Sequence, residues 1–445
     1  MNKQILATAI ATGLMAPGLA AADIKVFGAI QAETGGLERS GNTNTDVDYV
    51  RTDNVLGSIK GGGPNAFGLK GDEKLGNGLT AYFMFNNAFS TFDGDTLASR
   101  GGESSGAITA RDRYVGFKGD GWHVQFGRMN ALYKTASLRY DPFLATGLQS
   151  RANGGTSGGH NGFINDVARV GFNSGGLSAG IEVKWEDAFS EDTPQSGGDT
   201  RGLNTVDSGS WTGNVKYGEK DWEVGLAYMD FSYHQYTPDR RVTTITNGGT
   251  TDVFAPVNRG PTPTVTVPDG GSVTLSPGVT TTLTTTGNIT VNTTGSEPQK
   301  NDGDLSALKL HGKYNVGDFS LRAQYERIKA DAEDITARRG DGASTLVGLE
   351  GGNSAERYKS LYVSMTYKVM GSTSLMGHFA DTEWEDVNSG QDEYNVDGRH
   401  WAIGVKHDFS KRTHVYGGYM DNDYDYSNSR NDEITGWVIG TRHKF

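Results

Sequence analysis

The sequence contains no cysteine, which removes disulfide scaffolds, thiolate metal sites and cysteine nucleophiles together. Long apolar runs are missing too. Beyond the extreme N-terminus nothing approaches the roughly 18 apolar residues that a spanning helix needs, so a helical membrane protein is excluded. Basic charge is in short supply: 41 Lys and Arg stand against 53 Asp and Glu, a formal net charge of −12. Nucleic acid is an unsuitable partner for such a chain, because phosphate binding needs a basic face. Apolar residues are only 35% of the 445, too few to fill a soluble core of this size comfortably. What is plentiful is glycine, at 64 residues, and aromatics, at 10%; that many rings argues against disorder. A protein that buries few side chains but pairs every backbone group fits this composition, and that points to β structure.

The N-terminus reads as an export signal. Lys3 is the only charge before an apolar stretch from Ile5 to Leu19, and Ala20 and Ala22 fit the small-x-small cleavage pattern. Residues 1–22 are therefore expected to be a signal peptide and 23–445 the mature domain. Export combined with the absence of cysteine suits a bacterial envelope protein.

From Asp23 onward one unit recurs, about ten residues alternating apolar with polar and then a connection. Ile24, Val26 and Ile30 alternate with Lys25 and Gln31; Leu79, Ala81, Phe83 and Phe85 with Thr80, Tyr82, Met84 and Asn86; Ile403, Val405 and Phe409 with Lys406 and Asp408. This is the period-2 signature of strands with one apolar face. Short connections (173–176, 218–221, 316–318, 370–372, 410–412) alternate with long polar ones at 35–63, 90–109, 129–164, 188–208, 233–302, 330–356, 385–397 and 423–432. The long ones must then all leave from one rim. The pattern predicts about sixteen antiparallel strands, and an even number returns the C-terminus to the starting side. One wet face per strand rules out a packed sandwich. The fold class expected is all-β, a transmembrane antiparallel barrel, apolar outside and polar inside, with no open edge. Trp122, Phe126, Trp211, Trp222, Tyr362, Trp401, Phe409, Tyr416, Tyr419 and Trp437 are expected in its interfacial girdle.

Residues across nearly the whole mature chain resemble the general porins of the Gram-negative outer membrane, most like the neisserial and other β-proteobacterial type. They are Ile24-Lys25-Val26-Phe27-Gly28; Phe67-Gly68-Leu69-Lys70-Gly71 with the turn Asp72–Gly78; Arg113–Gly119 and Phe126-Gly127-Arg128; Lys406–Thr413 with Tyr416 and Tyr419; and the closing Gly440–Phe445. The resemblance implies a passive diffusion channel for small hydrophilic solutes and ions. It implies a homotrimer in outer-membrane lipid and lipopolysaccharide, with the first and last strands near the subunit interface. It also implies that the terminal Phe445 signals to the outer-membrane assembly machinery, and that the third long loop, 129–164, folds inward as the constriction. Asp141-Pro142-Phe143 stands where such loops carry a comparable tripeptide, and Pro142 could hold a sharp bend.

That loop carries Lys134, Arg139 and Arg151 against Asp141 between Asn130 and Ile164, a basic balance in an acidic protein. Strand parity puts Lys25, Lys70, Lys118, Lys406, Arg442 and Lys444 on the lumen face, and Arg128 stands at the loop's entry. Selectivity follows pore width and fixed charge at the narrowest point, so a mild anion preference is expected. Arg111 and Arg113 fall on the apolar parity, which calls for a bulge or interfacial snorkelling.

The fifth long loop carries a Thr- and Gly-rich tract at 242–296, read either as a small hairpin or as a low-complexity insertion. Two alternatives to a general porin stay open on this basis: a substrate-specific channel, and a surface adhesin or receptor acting through this tract. Asp421-Asn422-Asp423-Tyr424-Asp425 imitates a calcium loop but has Tyr426 where glycine is required. Nine scattered histidines include no His-x3-His pair, and no nucleophile motif stands in a strand-to-helix context. No metal, cofactor or enzymatic activity is expected.

Overall fold

Alternating sequences of this kind form ribbons with two unlike faces, and the computed structural model curls them into a closed sheet. It describes residues 23–41, 45–51, 65–89, 108–150, 163–184, 205–237, 242–247, 250–254, 272–275, 279–282, 290–294, 299–331, 354–388, 393–427 and 430–445. The expected signal peptide, 1–22, and Arg151 lie outside these residues.

In chain order the first strands are β1 (Lys25–Ser40), β2 (Thr45–Arg51), β3 (Asn65–Gly76), β4 (Leu79–Phe89), β5 (Ile108–Gly119) and β6 (Trp122–Asn130). A short helix α1 (Leu132–Ser137) and a single 3-10 turn (Leu138–Tyr140) follow. The chain continues through β7 (Phe163–Ser174), β8 (Leu177–Lys184), β9 (Thr205–Gly218), β10 (Trp222–Thr237), β11 (Val242–Asn247), β12 (Thr250–Phe254), β13 (Ser272–Leu275), β14 (Val279–Thr282) and β15 (Thr290–Thr294). It ends with β16 (Gln299–Val316), β17 (Phe319–Asp331), β18 (Ser354–Met370), β19 (Thr373–Asn388), β20 (Glu393–Asp408), β21 (Thr413–Tyr426) and β22 (Arg430–Lys444).

The chain divides into two compact units. One comprises Glu186–Ser208 and Ser232–Gly303; in it β11 pairs with both β12 and β15, and β13 with β14. The 242–296 tract is thus partly strand, and its Thr/Val alternation is the local reason.

The other unit, Met1–Trp185, Gly209–Phe231 and Asp304–Phe445, holds the barrel. Consecutive strands pair antiparallel, and the last strand returns to the first, with Ala29 opposite Lys444 and Ser40 opposite Glu433. The closed sheet has sixteen staves. It contains seventeen strands because β2 and β3 share one stave: β1 pairs with β3 near its start and with β2 further along. This corrects the expected loop at 35–63, since β1 runs on to Ser40 and β2 lies within the polar stretch. The same correction applies at 385–397 and 423–432, where β19 to β22 extend well into the expected loops. The reason is visible in residues 421–426, where acids and amides alternate with aromatics as a strand requires.

The outer face is as expected. Val26, Ile30, Val115, Phe117, Val170, Ile181, Leu361, Ile403 and Ile439 are exposed on seven of the staves, as a lipid-facing band must be. Trp122, Trp211, Trp222, Tyr419 and Trp437 share that face. Tyr362 and Tyr416 do not. They are buried and point inward, because each sits one residue out of step with an exposed neighbour such as Leu361. Nor is the inside uniformly polar. Met229, Ile328, Tyr358, Met376, Trp384, Val396, Met420, Tyr424, Ile434 and Val438 form an apolar cluster on the inner face. Tyr133, Phe143 and Leu148 of the third loop belong to the same cluster.

Candidate functional site

The loop leaves the wall at Asn130 and immediately forms α1 inside the barrel. The helix has no side-chain cap; instead the Leu132 amide donates to Glu182 Oε1 at 2.7 Å, on β8, two strands along the wall from β6. A carboxylate at a helix start satisfies orphan amides and complements the local dipole. Glu182 also holds Arg169 of β7 at 2.5 Å. On the opposite side, Lys309 of β16 donates to the Tyr133 carbonyl at 3.2 Å and lies 4.1 Å from its ring centroid. Ser137 donates to Gln324 Oε1 at 2.5 Å. The Ser364 hydroxyl donates to the Tyr140 carbonyl at 2.5 Å. The Tyr140 hydroxyl lies 2.9 Å from Glu223 Oε1 and 3.0 Å from His311 Nδ1. Burial pushes the Tyr133 and Tyr140 hydroxyls above the ordinary tyrosine range, with Glu326 and Glu223 respectively adding to the effect. Tyr140 thereby stays a neutral hydroxyl able to donate to Glu223.

Asp141 then turns the chain. Its two oxygens accept from the Phe143 amide at 2.8 Å and the Ser150 amide at 2.7 Å. It therefore acts as a staple of the loop. Phe143 packs edge-on against His378, with ring centroids 5.5 Å apart, and lies over Gly404. A Cβ on Gly404 would come 2.7 Å from the Phe143 ring, and one on Gly418 would come 2.7 Å from Leu148. These two glycines give the loop room to lie flat against β20 and β21. Glu33 of β1 closes the lock, accepting from the Gly147 amide at 3.0 Å and from the Tyr416 hydroxyl at 2.8 Å. The Gln31 amide donates to the Ala145 carbonyl at 2.5 Å.

The residues expected on the pore wall fall into three groups. Lys70 lies over the Phe27 ring at 5.3 Å and Lys118 over Tyr82 at 5.2 Å, both on the lumen face. Arg442 is also lumenal and donates to the neutral Gln31 Oε1 at 3.1 Å. Lys25 and Lys406 sit near the short-turn rim, held by Asp23 at 2.6 Å and Asp408 at 3.1 Å. Arg128 and Lys134 come together at one ring: their charges lie 5.5 and 5.0 Å from the Phe163 centroid, and Arg128 donates to Asn165 Oδ1 at 2.5 Å. Arg139 is exposed at the end of the 3-10 turn.

Arg111 joins that group, 4.9 Å from the Phe163 ring. Its parity misleads because the pairing of β4 with β5 slips between Phe85 and Asn87, leaving Arg111 and Asp112 together opposite Asn86. A bulge sets two residues against one and re-aims a side chain. The adjacent amides Asn86 and Asn87, which break the alternation of β4, are the sequence signal for it. Arg113 stays on the outward parity, over the Phe85 ring at 4.7 Å and bonded to Asn87. Glu33, Glu182, Arg169, Lys309, Tyr133 and Tyr140 were not singled out in the sequence, since alternation tells which face a residue takes and not what reaches it.

Phe445 completes β22. Its amide and carbonyl both bond to Gly28 at 3.1 Å, and its ring fills the place a Cβ on Gly28 would need, 2.4 Å away. The terminal residue thus joins the two ends of the sheet. Among the described residues no group of histidines and carboxylates could hold a metal ion.

Comparison with known proteins agrees with this architecture. A family model described as Gram-negative porin matches residues 7–258 and 235–427. An outer membrane porin protein of Bordetella pertussis is 23% identical over the full length of both chains. Among solved structures, an anion-selective porin from Comamonas acidovorans is similar with a TM-score of 0.58 at 17% identity, covering 95% of this chain and all of that one. The outer membrane channel DcaP of Acinetobacter baumannii has a TM-score of 0.55 at 10% identity, covering 95% and 97%. A trimer form of OmpT from Vibrio cholerae has a TM-score of 0.53 at 15% identity, covering 95% and 99%.

Proposed function

The chain belongs to the Gram-negative porin family and is an outer-membrane β-barrel channel, and from that premise we propose that it passes small hydrophilic solutes and ions with a mild preference for anions. The observation that carries the preference is an imbalance in how lumenal charges are engaged. Glu33, Asp141 and Glu182 are held by amides, a hydroxyl or Arg169, and Glu326 lies 3.4 Å from Lys309. Arg442, Lys70, Lys118 and Arg111 contact a neutral amide or aromatic rings. An anion in transit meets cations whose named contacts are neutral, whereas of the four carboxylates Glu182 and Glu326 are offset by Arg169 and Lys309, and Glu33 and Asp141 keep their charge turned toward the loop backbone. The net acidity of the chain does not oppose this, because fixed charge acts over about a Debye length of 8–10 Å and the lumen is what the ion samples.

The loop anchored by Glu33, Asp141 and Phe143 narrows the path and brings Arg139 into it. A homotrimer is the assembly we infer, supported by a trimer form among the structural neighbours. Phe445 is read as the assembly signal, as family membership implies. Reversal potentials in asymmetric KCl test the preference: an anion-to-cation permeability ratio above one is expected, and clear cation selectivity would overturn it. Conductance steps in multiples of three would support the trimer.

A further inference from the structure

We propose that the lumen between the third loop and the short-turn rim holds a saturable site for a small oxyanion of two or more charges, formed by Lys406, Arg442, Lys444 and Arg139. The inference rests on the anion-preferring channel proposed above and names the class of anion that its cations are placed to hold.

Strand register fixes where the four groups stand. Gly404 and Gly418, the pair beneath Phe143 and Leu148, lie opposite one another on β20 and β21. One rung toward the short turn, Lys406 lies opposite Tyr416. On the next, Asp408 faces His414, His414 faces Arg442 of β22, and Arg442 faces Gln31 of β1. Lys444 follows Arg442 on the same face, about 7 Å further along the strand, opposite Ala29. Arg139 comes from the loop itself, exposed at the end of the 3-10 turn. It lies within electrostatic reach of Lys444, as do Arg442 and Lys406. Two strands and the loop thus turn cations toward one space.

Carboxylates there are too few to offset them. Asp408 is divided between Lys406 at 3.1 Å and His414 Nδ1 at 3.9 Å. A carboxyl oxygen of Phe445 is held in the wall by the Gly28 amide at 3.1 Å. Glu33, level with Lys406 on β1, is engaged by the Gly147 amide and the Tyr416 hydroxyl. Arg442 gives one amino group to the neutral Gln31, and its buried Nε has no hydrogen-bond partner among the described residues. A guanidinium edge with Nε free is the fork that takes two oxygens of a carboxylate, phosphate or sulfate.

Valence selects the ligand. A unit charge about 6 Å away in water strengthens binding of a monoanion about threefold and of a dianion about tenfold. Each uncompensated cation therefore favours the dianion about threefold, before salt screening. Chloride neutralises one cation and leaves the others repelling. The site also lies on the short-turn side of the loop, so an anion arriving from that side reaches it without crossing the constriction.

Single-channel KCl currents of the full-length protein in planar bilayers test this, with sulfate, succinate or acetate added to one side at a time at neutral pH and constant ionic strength. Sulfate or succinate is expected to reduce the current saturably, at a half-blocking concentration about fivefold or more below that of acetate, and more readily from one side than from the other. Block by sulfate identifies a tetrahedral oxyanion and block by succinate a dicarboxylate. A linear response to both, or equal block by acetate, would overturn the site, and this arm needs no variant. Lys406→Gln with Lys444→Gln should raise the half-blocking concentration about tenfold or more, while Lys406→Arg with Lys444→Arg keeps it close to wild type. Unchanged block in the Gln pair would also overturn the site. Reversal potential in KCl alone reads the general preference: cation selectivity with dianion block intact would count against that preference only, and anion selectivity without block against the site only.

Discussion

Two arcs of the same barrel treat their inner faces differently. Along β16 to β22 and β1 the wall is built to receive the third loop: apolar side chains, two glycines at the closest approach, and hydrogen-bonding groups such as Glu33, Gln324 and Ser364 that match the loop's backbone. Along β3 to β5 the inner face instead carries cations laid over aromatic rings, with Tyr82 and Tyr114 edge to face at 6.2 Å. One arc behaves as a protein core and the other as a wetted wall. A barrel lumen is not one environment, and the position of an inserted loop decides which residues count as core.

The contrast can be tested by damaging one arc at a time. The largest effect is expected from Phe143→Ala, which empties a buried ring site on the packed arc; such truncations cost about 3–5 kcal/mol. The loop should loosen while the barrel persists, seen as raised and noisier single-channel conductance and as protease cleavage near residue 143. Arg111→Gln with Arg442→Gln comes next. A unit charge about 6 Å from an ion in water contributes ~0.7 kcal/mol, roughly threefold per charge. Reversal potential should therefore shift toward cations, with conductance changing less.

Asp141→Asn distinguishes a staple from a selectivity charge. It weakens two amide contacts, and a loss of about 1 kcal/mol in loop stability is expected. Selectivity should change less than with the Arg pair; a large anion-favouring shift would mean that Asp141 acts on the permeant ion. The smallest effect concerns pH. Tyr133 and Tyr140 hold their protons more tightly in the folded loop than in an unfolded chain. Their contribution is complete below the ordinary tyrosine pKa of about 10 and declines as pH rises beyond it. Protease sensitivity of the loop should stay flat to about pH 10 and then rise, and the rise should be reduced by Tyr140→Phe.

Much of the architecture was legible in the chain because a strand has a period of two. Ile24-Lys25-Val26 and Val405-Lys406 declare their outward and inward positions without reference to anything distant. The lumen placement of Lys70, Lys118 and Arg442 followed from the same rule. Where the rule failed, local geometry had departed from it. Arg111 is re-aimed by a bulge, and Tyr362 and Tyr416 face inward rather than the girdle, since an aromatic side chain by itself suits lipid and loop alike. Residues 385–397 and 423–432 look like connections because their composition is polar, yet β19 to β22 extend into them.

Local alternation, short turns and even spacing thus determined that this chain forms a barrel and which side chains face inward, since these depend on neighbours one or two residues away. Which inward residues meet each other was decided only by the tertiary structure. Glu33 reaches Gly147 and Tyr416, and Phe143 reaches Gly404, across separations of more than a hundred residues. No sequence period encodes such meetings, because they arise from the closure of β1 on β22 and from the path the third loop takes once the barrel surrounds it.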